Sequence, residues 1–196
     1  ENYNKDVDYK FLLKFLDDNI FKIEKLIGKF IKNIILIIES NKIFYVDMGI
    51  KKKNYQKNIN KKYLEIILTE AKDLIKQTNQ NKKIMHMLIN NYQIDGIDYL
   101  KLDYDIDFKH LCLEIKFISI PNNFAIEIER ILEKYQIKVD KYLDYKYLKD
   151  YFKHDDIKLS DMANKIQNGM NENEVSVVPK NDKKPRFFEK FFQLFS

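Results

Sequence analysis

Glycine is scarce in this sequence, and its scarcity excludes the common phosphate-binding loops. The 196 residues contain only 4 glycines, at positions 28, 49, 96 and 169. They lie too far apart to form GxxxxGK[ST] or GxGxxG, in which closely spaced glycines let backbone amides approach a phosphate. We therefore expect no nucleotide cofactor and no ATP binding.

Cysteine and histidine are scarce too, which limits nucleophilic and metal chemistry. Cys112 is the only cysteine, so no internal disulfide can form, as in proteins of reducing compartments. The three histidines, at positions 86, 110 and 154, have no second ligand at metal-binding spacing. His110 and Cys112 alternate onto one face of a predicted strand, but a catalytic thiol needs more than adjacency. We expect no metal and no enzymatic activity.

The acidic residues from Asp103 to Asp107 partly resemble a calcium-binding loop. Asp103, Asp105 and Asp107 alternate as calcium ligands do, yet the central glycine and the terminal glutamate of that motif are missing. We interpret the run as a polar hairpin loop.

An excess of one charge and long apolar runs are lacking as well. Lys and Arg number 35 and Asp and Glu 30, which gives a net charge of +5. The wealth of Lys, Asn, Ile and Tyr is typical of a genome poor in GC, so the high isoelectric point is no sign of nucleic-acid binding. No apolar run is long enough to span a bilayer, and no signal peptide is evident.

Periodic helices alternate with apolar strands over residues 9–142. A helical series of apolar residues begins at Leu12 and Leu16, alternating apolar residues from Leu111 indicate a strand, and Asp95-Gly96 is a tight-turn dipeptide. This order predicts an α+β fold in which neighbouring strands pair in a small mixed sheet covered by helices. Predicted helices cover residues 9–30, 61–77 and 123–135, and predicted strands cover 33–39, 43–46, 83–94, 110–120 and 137–142.

Three segments are expected along the chain. Residues 1–143 form an α+β interaction domain, residues 144–185 a polar linker with short helices, and residues 186–196 an amphipathic helix. The short helices are expected near 145–152 and 159–166, the second ended by Asn168-Gly169. The polar stretch from residue 170 to residue 184 is expected to be flexible.

The C-terminal segment Arg186–Ser196 carries five of the 14 phenylalanines. At about 100° per residue its apolar side chains fall within an arc of roughly 160°, and the polar residues take the other side. A helix this short cannot span a bilayer but binds in its interface, with rings at the acyl boundary and cations near anionic headgroups. The expected membrane-binding residues are Lys183, Lys184, Arg186, Phe187, Phe188, Lys190, Phe191, Phe192, Leu194 and Phe195.

A second interpretation of this segment stays open. An aromatic stripe at helical spacing also fits a helix that docks on its own core or in a groove of a partner protein. The protein would then be a generic α+β interaction module. The position of the segment behind a polar tether favours the membrane.

Two short motifs in the middle of the chain are followed by a strand and a helix. Ile84–His86 leads to Ile94–Gly96, and Leu111–Ile118 and Asn123–Tyr135 come next. This order resembles the subdomain inserted in the actin-like bacterial cell-division proteins of the FtsA family, in which an Ile-Leu-His strand leads to Ile-Asp-Gly. The ending Phe187–Phe195 is similar to the C-terminal membrane-targeting helix of that family.

The resemblance implies a reduced relative, with the interaction subdomain and the membrane helix but without the ATPase core. Nothing between Tyr142 and the C-terminal segment corresponds to the actin-type subdomains that follow the insert in the family. ATP binding and polymerisation are therefore not carried over to this chain. The family binds the tubulin-like ring protein FtsZ mainly through a subdomain that is missing here. Binding of FtsZ is therefore not carried over to this chain either.

Together these observations favour a non-enzymatic, peripheral membrane adaptor that tethers or recruits components of the division ring. The expected partners are anionic lipids of the membrane surface, other division proteins and further copies of the chain. The expected location is the cytoplasmic face of the bacterial inner membrane. No nucleic-acid partner is expected.

Overall fold

The computed structural model describes residues 8–53, 61–102 and 107–175, and these contain five helices and seven strands. This confirms the predicted α+β class. The helices are α1 (Tyr9–Ile27), α2 (Lys61–Thr78), α3 (Asn122–Glu133), α4 (Tyr145–Tyr151) and α5 (Leu159–Gln167). The strands are β1 (Asn33–Ile38), β2 (Phe44–Lys53), β3 (Lys82–Ile94), β4 (Ile97–Tyr99), β5 (His110–Pro121), β6 (Lys138–Asp144) and β7 (Glu174–Val175).

The chain divides into two compact units and passes from one to the other three times. Of the described residues, unit 1 holds 8–43 and 120–168, and unit 2 holds 44–53, 61–102, 107–119 and 169–175. The end expected at residue 143 falls inside unit 1. Independent folding of residues 1–143 stays a prediction.

Unit 1 is built around a parallel pair of strands. β1 lies beside β6, from Asn33 opposite Lys138 to Ile38 opposite Asp144. The expected pairing of β1 with the next strand, β2, is wrong, because β2 belongs to the other sheet. A turn between two strands in sequence does not decide their partner, and the apolar residues of β1 pair with a strand about 100 residues later.

The first helix of unit 1 begins and ends at recognisable caps. The Asp8 carboxylate accepts hydrogen bonds from the backbone N–H groups of Lys10 and Phe11, each at 3.0 Å. Gly28 adopts a left-handed φ of 69°, and its N–H donates to the Glu24 carbonyl. α1 therefore ends at Ile27, three residues before the predicted end at Phe30.

Unit 2 is a five-stranded sheet with α2 on one face. The strand order is β2-β5-β3-β4, and β7 pairs with β3 beside β4. β2 continues to Lys53, well past its predicted end, because Met48 and Ile50 alternate towards the core. That core joins helix residues Leu64, Ile67, Leu68 and Ala71 to sheet residues Met87, Ile89, Leu111, Leu113, Ile115 and Phe117.

The turn between β3 and β4 confirms the Asp95-Gly96 prediction. Ile94 pairs with Ile97, so the loop has two residues, and both have positive φ, 50° for Asp95 and 88° for Gly96. This is the backbone of a type I′ hairpin, for which Asp-Gly is a preferred sequence. The Asp95 carboxylate also accepts hydrogen bonds from the backbone N–H groups of Lys109 and His110, which places the start of β5 beside the turn.

The stretch expected to be a linker contains two packed helices. Asp144 caps α4 by accepting from the N–H groups of Lys146 and Tyr147, and α4 contacts both β6 and α5. Gly169, at a φ of 93°, follows the end of α5, as predicted. Within the described residues, the polar side chains of this region therefore belong to helices that bury one face. The buried side chains are Tyr147, Leu148, Phe152, Met162, Ala163 and Ile166.

Candidate interaction surfaces

All ten predicted membrane-binding residues lie outside the described part of the chain, which ends at Val175. The membrane prediction for them is therefore neither confirmed nor corrected. They are Lys183, Lys184, Arg186, Phe187, Phe188, Lys190, Phe191, Phe192, Leu194 and Phe195.

The last described residues, up to Val175, are fixed to unit 2. β7 pairs antiparallel with β3, and the Ile89 N–H donates to the Asn173 carbonyl at 2.9 Å. The Asn173 side-chain amide donates to the Leu100 carbonyl, also at 2.9 Å. This part of the predicted flexible stretch is thus ordered, because the backbone of β3 offers it a partner.

A buried histidine and glutamate hold β7 in place. His86 Nδ1 lies 2.9 Å from Glu174 Oε1, and the two side chains are 0% and 4% exposed. A His–Glu pair is also found in catalytic sites, but here both side chains are enclosed, so no substrate reaches them. We interpret the pair as a structural tie between β3 and β7. The sequence did not reveal it, because the two residues are 88 positions apart.

A basic cleft of about 350 Å³ lies on unit 2. The register places Lys53 opposite His110 and Lys51 opposite Cys112. His110 and Cys112 therefore share a face, as predicted, and the cleft is lined by lysine side chains beside them. Asp95, the nearby carboxylate, has its pKa lowered by hydrogen bonds from the Lys109 and His110 backbone, so it stays ionised. The lysines attract an anion and the ionised Asp95 repels it, so the cleft is suited only to weak contact with an anion.

Metal ligands do not converge anywhere in the described residues. No group of three His, Cys, Asp or Glu side chains in residues 8–53, 61–102 and 107–175 could hold a metal ion. Asp107 belongs to these residues, whereas Asp103 and Asp105 lie outside them. The interpretation of the acidic run as a hairpin loop therefore stays a prediction.

Two tyrosines of unit 1 have perturbed pKa values, and hydrogen bonding and burial account for both. The Tyr135 hydroxyl donates to Asp17, which raises the pKa of Tyr135 to about 12. Burial raises the pKa of Tyr142 well above its usual range, and the hydrogen bond from its hydroxyl to Glu129 adds to the effect. Perturbed groups often mark active sites. These two are separate pairs: one ties α1 to the turn that follows α3, and the other ties α3 to β6, so we assign both to the fold.

α1 exposes a second set of apolar side chains. Its inner face, with the buried Leu16, packs in unit 1, where the helix contacts α3. On the other side Phe11 is 68% exposed, Phe15 46% and Leu26 86%. We call these three residues the outer face of α1. The apolar series from Leu12 predicted only the inner face. The large apolar residues outside that series were the signal for a second apolar face.

None of the helices in the described ranges is long and apolar enough to cross a bilayer. No protein-family model matches the chain, and no curated protein matches it.

Proposed function

We propose that this protein is a non-enzymatic adaptor that binds the cytoplasmic membrane peripherally and recruits protein partners to it. Residues 186–196 bind the lipid surface, and the folded units carry the partner-binding surfaces. The resemblance of Ile84–Gly96 to the FtsA insert supports division proteins as the partners. The His86–Glu174 pair is enclosed, so the proposal gives it a structural role and no catalytic one.

The observation that carries the proposal is the pattern of residues 186–196, which combines an aromatic face with basic residues. Only ten residues, 176–185, separate it from β7, which is fixed to unit 2. At about 3.5 Å per residue they span at most roughly 35 Å when fully extended. A segment bound to lipid therefore holds unit 2 close to the surface.

The expected binding is weak and reversible. Half-burying five phenylalanines and one leucine contributes about 5–8 kcal/mol before costs. Folding so short a segment into a helix offsets much of this, because it is unstable in water alone. Each lysine or arginine near an anionic surface adds about 1 kcal/mol. Clustering of several copies then gives firm attachment.

Sedimentation of the full chain with vesicles tests the proposal. We expect the protein to pellet with vesicles containing phosphatidylglycerol, less so at high salt, and to stay in solution with neutral phosphatidylcholine. Lys190→Glu should weaken pelleting at low salt only. If the wild-type chain stays in solution with both kinds of vesicle, the membrane function is wrong, and docking of the segment in a partner protein takes its place.

A further inference from the structure

We propose that the outer face of α1 is a second membrane-binding surface, which places Phe11, Phe15 and Leu26 in the interface of an anionic bilayer. The inference rests on the membrane function proposed above and adds a contact made by the folded part of the chain. It concerns α1 within unit 1 alone.

The geometry of the outer face suits a flat apolar layer. At 3.6 residues per turn the three side chains lie within an arc of roughly 60°, in a stripe about 22 Å long. Phe11 and Leu26 are more than two-thirds exposed. Single exposed apolar residues are ordinary, but a helix of a soluble domain usually turns its large apolar side chains inward. Phe21, 72% exposed, lies roughly 80° from Phe11 around the helix and extends the apolar surface on that side.

The charges on this side of α1 are mainly positive. Lys14, Lys22 and Lys25 lie within roughly 60° of Phe11 around the helix, and Asp18 is the acidic residue among them. Lysines near an anionic surface strengthen binding, and their long aliphatic stems reach past the rings to the headgroups.

The other acidic groups of α1 point elsewhere and have partners within unit 1. Asp17 accepts a hydrogen bond from the Tyr135 hydroxyl, and Glu24 accepts one from the Ile31 N–H at 2.8 Å. The outer face therefore does not present them to the lipid surface.

The mixture of phenylalanine and lysine favours lipid over a protein partner. The apolar core of a protein interface is depleted in lysine, whereas helices that lie in a membrane interface combine Phe or Leu with Lys. Lys22 lies between Phe15 and Leu26 on the outer face, so a protein that covered both would bury its ammonium group. A second copy of the chain would also bring like charges together.

A tryptophan reporter tests the contact directly, because the chain has no tryptophan. Phe11→Trp is the reporter. Ile126→Trp, 51% exposed on α3 of the same unit, is the matched control. With phosphatidylglycerol vesicles we expect the emission of Trp at position 11 to shift to the blue and to be quenched by brominated acyl chains. The control should show neither effect. Equal behaviour of the two reporters would overturn the inference.

Partition measurements separate this surface from the C-terminal segment. Phe11→Asp should lower the vesicle partition coefficient of the full chain about five- to tenfold, because one half-buried ring is lost. Ile126→Asp should leave the partition coefficient unchanged. If Phe191→Asp abolishes binding and Phe11→Asp has no effect, the C-terminal function stands and this inference fails. If only Phe11→Asp matters, the outer face stands and the C-terminal function fails.

Two further outcomes would contradict a lipid contact. Should Phe11→Asp turn a dimer into a monomer in solution while vesicle partition stays the same, the occupant is a second copy of the chain. The second outcome is that Phe11→Asp lowers the melting temperature, while Trp at position 11 is not quenched and the tryptophan control is unchanged. The outer face would then be a packing surface.

Discussion

Asp95 shows how one residue can serve two parts of a structure. Its backbone has a φ of 50°, which Asp tolerates better than most residues, and this allows the two-residue turn before β4. Its carboxylate accepts from the N–H groups of Lys109 and His110, at 3.0 and 2.7 Å from Oδ1. These bonds lower the pKa of Asp95.

Asp95→Asn tests the charged part of this role. The folded pKa of Asp95 lies below that of an unfolded Asp, about 3.9, so the charge stabilises the fold above that pH and ceases to do so as pH falls through the folded pKa. We expect Asp95→Asn to lower the urea midpoint at pH 7, and the difference from wild type to shrink as the pH falls through the folded pKa. Asp98→Asn, on the neighbouring strand, is the control. A difference that persists unchanged at low pH would show that the charge is irrelevant.

β7 is only two residues long, and we expect its stability to depend on the buried His86–Glu174 pair. Glu174→Ala leaves the enclosed imidazole without this partner, so we expect the free energy of unfolding to fall by about 1–3 kcal/mol. Hydrogen exchange of the Ile89 amide, which donates to Asn173, should become faster. Urea denaturation and exchange measured by mass spectrometry check both effects.

Glu172→Ala provides the matched control for β7. Its ion pair with Lys101 is about 70% exposed on both sides, and exposed pairs contribute about 0–1 kcal/mol. Equal effects of the two substitutions would mean that the buried pair does not hold β7 in place.

α4 belongs to the core of unit 1 rather than to a linker. Leu148 is completely buried, so Leu148→Ala should lower the free energy of unfolding by about 2–5 kcal/mol through lost contacts and a residual cavity. Lys153→Ala, just after α4 and exposed, should change it by less than about 0.5 kcal/mol. Urea denaturation measures both. A cost of Leu148→Ala as small as that of Lys153→Ala would contradict this packing and support the linker.

Local signals explain which elements the sequence predicted. α1 repeats its apolar residues over five turns, and the turn at Asp95-Gly96 has a sequence that favours its backbone, so each is specified by neighbouring residues. The partner of β1 is not local, since β6 pairs with it in parallel from about 100 residues away. β7 is too short and polar to show a strand pattern. The outer face of α1 went unnoticed because one apolar series already accounted for a helix.

At the scale of the whole molecule, the two units are interleaved along the chain, so neither can be removed by a single cut. In sequence, unit 1 combines residues before and after the 44–119 part of unit 2, and its helices α4 and α5 follow residue 143. Experiments on function are therefore best made on the full chain with single substitutions.

ATP binding separates an adaptor from an actin-like ATPase. Because the 4 glycines are far apart in sequence and form no phosphate-binding motif, we expect no binding of Mg-ATP. Isothermal calorimetry of the full chain should give only the heat of dilution. A dissociation constant in the micromolar range would contradict the adaptor function and favour the ATPase.

The most direct test of the membrane function is the vesicle partition of Phe191→Asp, measured together with its melting temperature. A buried carboxylate is costly in the acyl region, so partition onto phosphatidylglycerol vesicles should fall at least about tenfold. Its melting temperature should equal that of the wild type, because a side chain that binds lipid has no part in the core. If Phe191→Asp instead melts several degrees lower and binds vesicles as well as the wild type, residues 186–196 belong to the folded core and the membrane function is wrong.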